Sequence, residues 1–177
     1  SAIVSSEEGL VVEHGERDCS DLAGGKYELC FQRQGEFATT AALCARLREF
    51  CGNLAKENAL FSLDLVSQLN LDGTQIPILT AELCDLFPHL TVISARDCGI
   101  HMIGEGMFTD SLEVLKLPGN RLGGFDCLCL SKDAREGIEE LDLSNNGLSA
   151  MPRNLGLCDA LDCLNLSNNR IEGNVED

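Results

Sequence analysis

The chain has no tryptophan and a single tyrosine, and aromatic residues fill only 5% of its 177 positions. A core built on large rings is excluded, so leucine must carry the apolar load. Hydrophobic residues still reach 44%, enough for a packed interior, and the bias suits a fold that stacks similar aliphatic layers. Positive charge is also scarce: 13 Lys and Arg stand against 29 Asp and Glu, a formal net charge of -16. Such a surface repels phosphate backbones and anionic membranes, which argues against nucleic-acid binding. The acid gathers at the front, in Glu7, Glu8, Glu13, Glu16, Asp18 and Asp21, and returns in Glu172, Glu176 and Asp177. It reads as a solvated face, with docking of a basic partner as the sharper alternative. No apolar run approaches the roughly 18 residues of a membrane span, so no span is expected. The opening SAIVSSEEGL has neither a basic start nor a long apolar stretch, so it does not read as a signal peptide. It also lacks an initiator Met, which leaves a processed or engineered start, or a removed signal, as the alternatives.

Chemical signatures are equally sparse. AGGKY at 23–27 has Gly-Gly-Lys without the spacing or the hydroxyl residue of a phosphate loop, and GEGMF at 104–108 lacks the third glycine of a dinucleotide fingerprint. Neither G-x-S-x-G nor H-E-x-x-H occurs. Cys127 and Cys129 have no second ligand pair at metal spacing, and His14, His89 and His101 are far apart. The expectation is a protein that is not an enzyme and holds no cofactor and no metal. The ten cysteines sit mostly where small buried apolar residues would serve, as Cys44 and Cys51 do on one helix face and Cys84 does in AELCDLF. They read as reduced thiols, with Cys19–Cys30 and Cys158–Cys163 as the alternative pairings.

What the sequence does have is a repeated phrase. VSQLNLDGTQI begins at Val66, LTVISARDCGI at Leu90, LEVLKLPGNRL at Leu112, IEELDLSNNGL at Ile138 and LDCLNLSNNRI at Leu161. Leucines one residue apart, such as Leu141 and Leu143, point to the same side of a short strand, and that side is the core. The residues between and beside them point outward in three columns: Gln68, Val92, Val114, Glu140, Cys163; Asn70, Ser94, Lys116, Asp142, Asn165; and Asp72, Arg96, Pro118, Ser144, Ser167.

The five phrases resemble the leucine-rich repeat family, with its pattern L-x-x-L-x-L-x-x-N/C-x-L, over about Leu63 to Val175. The last three match throughout; the first two place Thr74 and Cys98 where Asn120, Asn146 and Asn169 stand in the others. The resemblance implies an α/β fold, a right-handed solenoid with short parallel strands on a concave face and helices or turns, not a second sheet, on the convex face. It implies that Thr74, Cys98, Asn120, Asn146 and Asn169 form a ladder inside the turns and satisfy buried backbone groups. Thr74 and Cys98 suit that job less well, so the first two repeats are expected to be the less regular ones.

Residues 1–62 are read as an N-terminal arm followed by an amphipathic helix covering the first layer. Leu43, Leu47, Phe50, Cys51 and Leu54 lie on one face, Thr39 or Thr40 starts the helix and Gly52 weakens its end. KYELCFQ alternates like a strand. LFSLDL at 60–65 also fits the phrase and competes with the register at Val66. Thr80 is a candidate N-cap for a helix through Leu83, Leu86 and Phe87, and Ser131 for a helical turn in the longer connection. Residues 63–177 hold the five repeats. The few residues after Ile171 do not cover a layer of leucines. The expectation is a longer protein, or a second copy or partner, covering that layer.

The family binds protein partners on the concave face. The resemblance therefore singles out Gln68, Asn70, Asp72, Val92, Ser94, Arg96, Val114, Lys116, Glu140, Asp142, Cys163 and Asn165 as partner-binding. Arg96 and Lys116 beside Val92 and Val114 suit an acidic or amphipathic segment, and Glu140 and Asp142 reverse the sign beyond them. Cys19 and Cys30 do not reproduce the cysteine cluster that opens secreted members, which points to a cytoplasmic scaffold or adaptor. The alternatives are a fragment of an extracellular receptor or pathogen surface protein, and the recognition arm of a larger enzyme complex. The sequon Asn165-Leu166-Ser167 falls on a repeat strand and follows from the phrase itself.

Overall fold

Apolar residues spaced by two share one face of an extended segment, and each repeat phrase offers such a pair. In the computed structural model, which describes residues 2–6, 9–13, 27–57, 59, 61–104, 106–124 and 136–172, every phrase supplies a short strand. In chain order the strands are β1 (Ala2–Ser6), β2 (Gly9–Glu13), β3 (Tyr27–Cys30), β4 (Val66–Asn70), β5 (Ile78–Leu79), β6 (Val92–Ser94), β7 (Met102–Ile103), β8 (Val114–Lys116), β9 (Glu140–Asp142) and β10 (Cys163–Asn165). Eight of them make one sheet in the order β1-β2-β3-β4-β6-β8-β9-β10. From β3 onward all neighbours run parallel, whereas β1, β2 and β3 pair antiparallel. The fold is a repeating α/β arrangement of parallel strands with few helices. The competing register at LFSLDL is not used: Leu63–Leu65 forms a single 3-10 turn, and the strand starts at Val66.

Register turns the phrases into layers. Leu69 faces Ile93, then Leu115, Leu141 and Leu164. The first four of these are buried to 1% exposure or less, as are Leu71, Ala95, Leu117 and Leu143 two residues on. Ile76, Ile100, Leu122 and Leu148 close the same layers from the turn.

The ladder residues join each turn to the one before it. Asn120 accepts from the Cys98 and Ile100 N–H groups at 3.1 and 3.0 Å and donates to the Ala95 and Leu117 carbonyls at 2.7 and 2.9 Å. Asn169 does the same between Asn146 and Leu148 N–H and the Leu143 and Leu166 carbonyls. Asn146 accepts from Leu122 N–H and donates to the Leu117 and Ser144 carbonyls. Thr74 and Cys98 hold the same place with one donor each: the Thr74 hydroxyl donates to the Phe31 carbonyl at 2.9 Å, and the Cys98 thiol to the Leu71 carbonyl at 3.2 Å. Their strands keep the common register, and these two coils differ instead on the side away from the large sheet. The residue before each ladder position has positive φ: Gly73, Asp97, Gly119, Asn145 and Asn168, and Arg33 in the coil that β3 begins. Glycine, asparagine and aspartate tolerate that conformation best. At Gly119 a side chain would also run into the Asp97 carboxylate.

Helix α1 (Thr40–Glu57) lies on the core side with Leu43, Cys44, Leu47, Phe50, Cys51 and Leu54 buried. Phe50 meets Phe31 with ring centroids 5.8 Å apart. The Thr39 hydroxyl accepts from Ala42 N–H at the helix start, and the Thr40 hydroxyl donates to the Ile78 carbonyl at 2.7 Å. Gly52 does not end the helix: it sits on the exposed side, while Cys51 and Leu54 are held in the core. Thr80 is not the cap of α2 (Glu82–Leu86), a place that Ala81 takes, although the Thr80 carbonyl accepts from Leu83 N–H. The expectation of no second sheet is also corrected. β5 and β7 form a two-stranded parallel sheet, because the Pro77 and Leu79 carbonyls accept from His101 and Gly104 N–H of the next coil. Short turns at Leu122–Gly124 and Leu155–Leu157 serve other coils. Ser131 lies outside the described residues.

Asn120→Leu keeps the branched shape but removes four bonds, and each buried backbone group left unpaired costs about 1–3 kcal/mol. Urea unfolding is expected to show a loss of at least about 4 kcal/mol, against less than about 0.5 kcal/mol for Asn53→Ala on the exposed side of α1.

Candidate functional site

Because alternate strand residues point away from the core, strand register alone assembles the opposite face. It sets Gln68, Val92, Val114, Glu140 and Cys163 in one row and Asn70, Ser94, Lys116, Asp142 and Asn165 in the next. Strand β3 lengthens both rows, with Glu28 beside Gln68 and Cys30 beside Asn70. Arg96 and Cys163 are exposed, and the remaining ten candidate residues are partly exposed.

The third row is different. Pro118 and Ser144 are buried and do not belong to the open face. Their carbonyls accept from Asp97 and Gly119 N–H of the preceding coils, a bond that the Asp72, Arg96 and Ser167 carbonyls also make to Arg33, Gly73 and Asn145 N–H, so it is common to the whole row. Asp72 and Arg96 keep an open aspect. Asp72 is fastened in place, its carboxylate accepting from the Ser94 hydroxyl at 2.7 Å and from Arg96 N–H at 2.8 Å.

Several other candidates also have structural work. Asn70, Asp142 and Asn165 each accept from the N–H two residues ahead, at 3.0, 2.9 and 3.1 Å, which shapes the strand exit. Asn165 further donates to the Asp142 carboxylate at 3.2 Å, so the sequon side chain is engaged at both ends. Lys116 reaches Glu140 on the next strand at 3.0 Å, a half-exposed pair. The two cations expected to act together are therefore unequal. Lys116 is partly neutralised, and Arg96 makes no side-chain ion pair among the described residues. The open face is an apolar step of Val92 and Val114, Arg96 at its turn end, and an acidic flank formed by Glu140 and Asp142.

Among the described residues no group of three or more His, Cys, Asp and Glu is placed to hold a metal ion, and no helix is long and apolar enough to cross a membrane. The seven described cysteines, Cys30, Cys44, Cys51, Cys84, Cys98, Cys158 and Cys163, are free thiols, so Cys158 and Cys163 stand unbridged. Cys19 lies outside the described residues. Burial pushes Cys51 and Cys98 up to about 12, and burial together with the neighbouring Glu28 carboxylate pushes Cys30 up to about 11.

The Leucine Rich Repeat family model matches residues 137–158, which hold β9, the Asn146 turn and the Leu155–Leu157 helical turn. The match covers one of the five repeated phrases, and there the chain is similar to the leucine-rich repeat family. No curated protein and no solved structure matches the chain.

The raised thiols predict an alkaline weakness. The unfolded chain releases these protons near the ordinary value of 9.0, while the folded chain holds them until about 11 to 12. Their contribution is intact below pH 9 and is lost as pH rises from there toward 12, because the unfolded state then binds fewer protons. Urea midpoints measured from pH 7 to 11 are expected to fall above pH 9, and Cys51→Val to fall less steeply than wild type.

Proposed function

We propose that this chain is a non-catalytic protein-interaction module of solenoid form, binding a protein partner on the open, concave face of its sheet. Leucine-rich repeats generally mediate protein–protein interaction, which supports the coarse reading. The observation that carries the finer one is the arrangement around Val92 and Val114. An apolar pair, an exposed guanidinium at Arg96 and an acidic flank at Glu140 and Asp142 share one accessible surface. Interfaces of this kind place an apolar anchor at the centre and charges at the rim, where charge sets orientation and rate of encounter.

On this reading the repeats run from Val66 through the coil of β10, and residues 1–62 close the other end of the layers with α1 and the β1–β2 strands. The partner segment carries an acidic residue for Arg96 and an apolar side chain for the valine step. Gln68, Asn70, Ser94, Asn165 and Cys163 supply the surrounding polar contacts. The role is that of a scaffold or adaptor in the cytoplasm, which the free thiols favour over an extracellular receptor fragment.

Affinity purification with mass spectrometry from the native source tests this with Arg96→Glu plus Val114→Thr. Lys116 is left alone, since its reversal would place a carboxylate against Glu140 and perturb the sheet. The expected outcome is at least a tenfold drop in recovery of a wild-type partner, equivalent to about 1.4 kcal/mol, with an unchanged circular dichroism spectrum. Undiminished recovery of every partner by the folded variant would sink the open-face assignment.

A further inference from the structure

The layers are not equally covered. Leu69, Ile93, Leu115 and Leu141 are 0–1% exposed, and their register mate on β10, Leu164, is 38% exposed. Leu161, Leu166 and Ile171 of the same coil are only partly buried, where their counterparts Ile138, Leu143 and Leu148 are buried. Of the four exposed large hydrophobics among the described residues, Met102, Met151, Leu157 and Leu164, three lie in residues 151–164.

The same edge offers backbone partners. Cys163 N–H donates to the Glu139 carbonyl and the Asn165 carbonyl accepts from Leu143 N–H, so residues 163 and 165 are turned toward β9. The N–H and C=O of one strand residue point the same way and alternate along the strand, so those of Leu164 are turned outward.

We propose that a second copy of this chain covers the β10 edge through a two-fold antiparallel pairing centred on Leu164. Each Leu164 gives its N–H to the other's carbonyl, the exchange made by a hydrogen-bonded antiparallel pair. Both Leu164 side chains fall on the core side, where the two exposed layers cover each other. Cys163 of one copy lies opposite Asn165 of the other.

Charge favours this occupant. Two chains of net charge -16 repel one another across most of their surface. Residues 151–172 carry two basic residues, Arg153 and Arg170, against three acidic ones, Asp159, Asp162 and Glu172, so this coil is close to neutral. The signs are also divided along it. Asp159 and Asp162 precede the strand, Arg170 follows it, and all three are exposed. A two-fold reverses the strand direction and brings each Arg170 toward the Asp159–Asp162 end of the other copy. An isologous interface needs this self-complementarity.

Sedimentation equilibrium of the full chain between about 1 and 200 µM tests the proposal. The expected wild-type result is a monomer–dimer equilibrium rising to twice 19.1 kDa. Leu164→Lys and Arg170→Glu are each expected to weaken it at least tenfold. The exposed-site swap Asp162→Arg with Arg170→Glu is expected to restore it. Circular dichroism and urea midpoints confirm that the Arg170 variants are folded, whatever Leu164→Lys does to the coil. A wild-type monomer at 200 µM overturns the proposal, including the case in which only a different protein seats on the edge. A dimer insensitive to Arg170→Glu, or one that the swap fails to restore, overturns it too.

Discussion

A buried side-chain amide that serves the backbone of two coils at once is the interaction on which the structure depends. A strand of three residues makes too few bonds to hold its neighbour, and the turn that follows leaves N–H and C=O groups inside the protein. Asn120 and Asn169 answer both problems, each accepting two N–H groups of the preceding coil and donating to one carbonyl in each coil. Among the described residues no buried side-chain nitrogen or oxygen lacks a partner. The cost of burying polar groups is thereby met inside the turn, and the rest of each coil is free to be leucine. The positive φ at the preceding residue follows from the same bonds, since it aims the ladder side chain into the turn.

The ladder also decides what the open face can be. Fixing each turn fixes strand register, and register alone brings Val92 beside Val114 and Lys116 beside Asp142, from where Lys116 reaches diagonally to Glu140. On the proposed reading, a face set by register in this way needs little ordering when a partner binds, which lowers the entropy that association must overcome. Some of its polar residues are committed twice. Asn70, Asp142 and Asn165 shape the strand exit through side-chain oxygens on this face, so substituting them perturbs the fold as well as the surface. Arg96 is free of that ambiguity because its structural bond runs through its backbone N–H, leaving the guanidinium exposed.

How much of this was legible depended on whether a residue's role repeats. The five strands, the inner leucines and the turn positions of Thr74, Cys98, Asn120, Asn146 and Asn169 recur at a near-constant period and can be read from residue types alone. Roles set by one coil's neighbours could not. Ser144 and Pro118 look outward by alternation, but the strands end before them and both are buried. β5 and β7 depend on two connections running side by side, which no single segment reveals, although Ile78 and Ile103 carry the β-branched character of strands. β1 and β2 left a clearer trace: the apolar runs of AIVSS and GLVVE flank Glu7-Glu8, a hairpin-like spacing. The Lys116–Glu140 bond was hidden because register pairs Lys116 with Asp142 and Val114 with Glu140, so the ion pair is a diagonal reach across 24 residues of chain.

The two edges of the sheet complete the argument. At one edge β3 turns its neighbour antiparallel, and β2 and β1 follow as a hairpin, so the parallel stack ends in a different kind of pairing. Toward that edge Leu29 is fully buried and α1 lies over the layer. At the other edge β10 repeats the pattern of β9 without change, down to an Asn169 that makes all four ladder bonds. The ladder reaches backward only, from each coil to the one before it. A coil can therefore be fully bonded to its predecessor while its own outward layer stays bare, and the near-complete polar accounting at β10 coexists with a Leu164 exposed to 38%. Hydrogen bonding has joined β10 to β9 on one side, and on the other the layer of Leu164 stays exposed among the described residues.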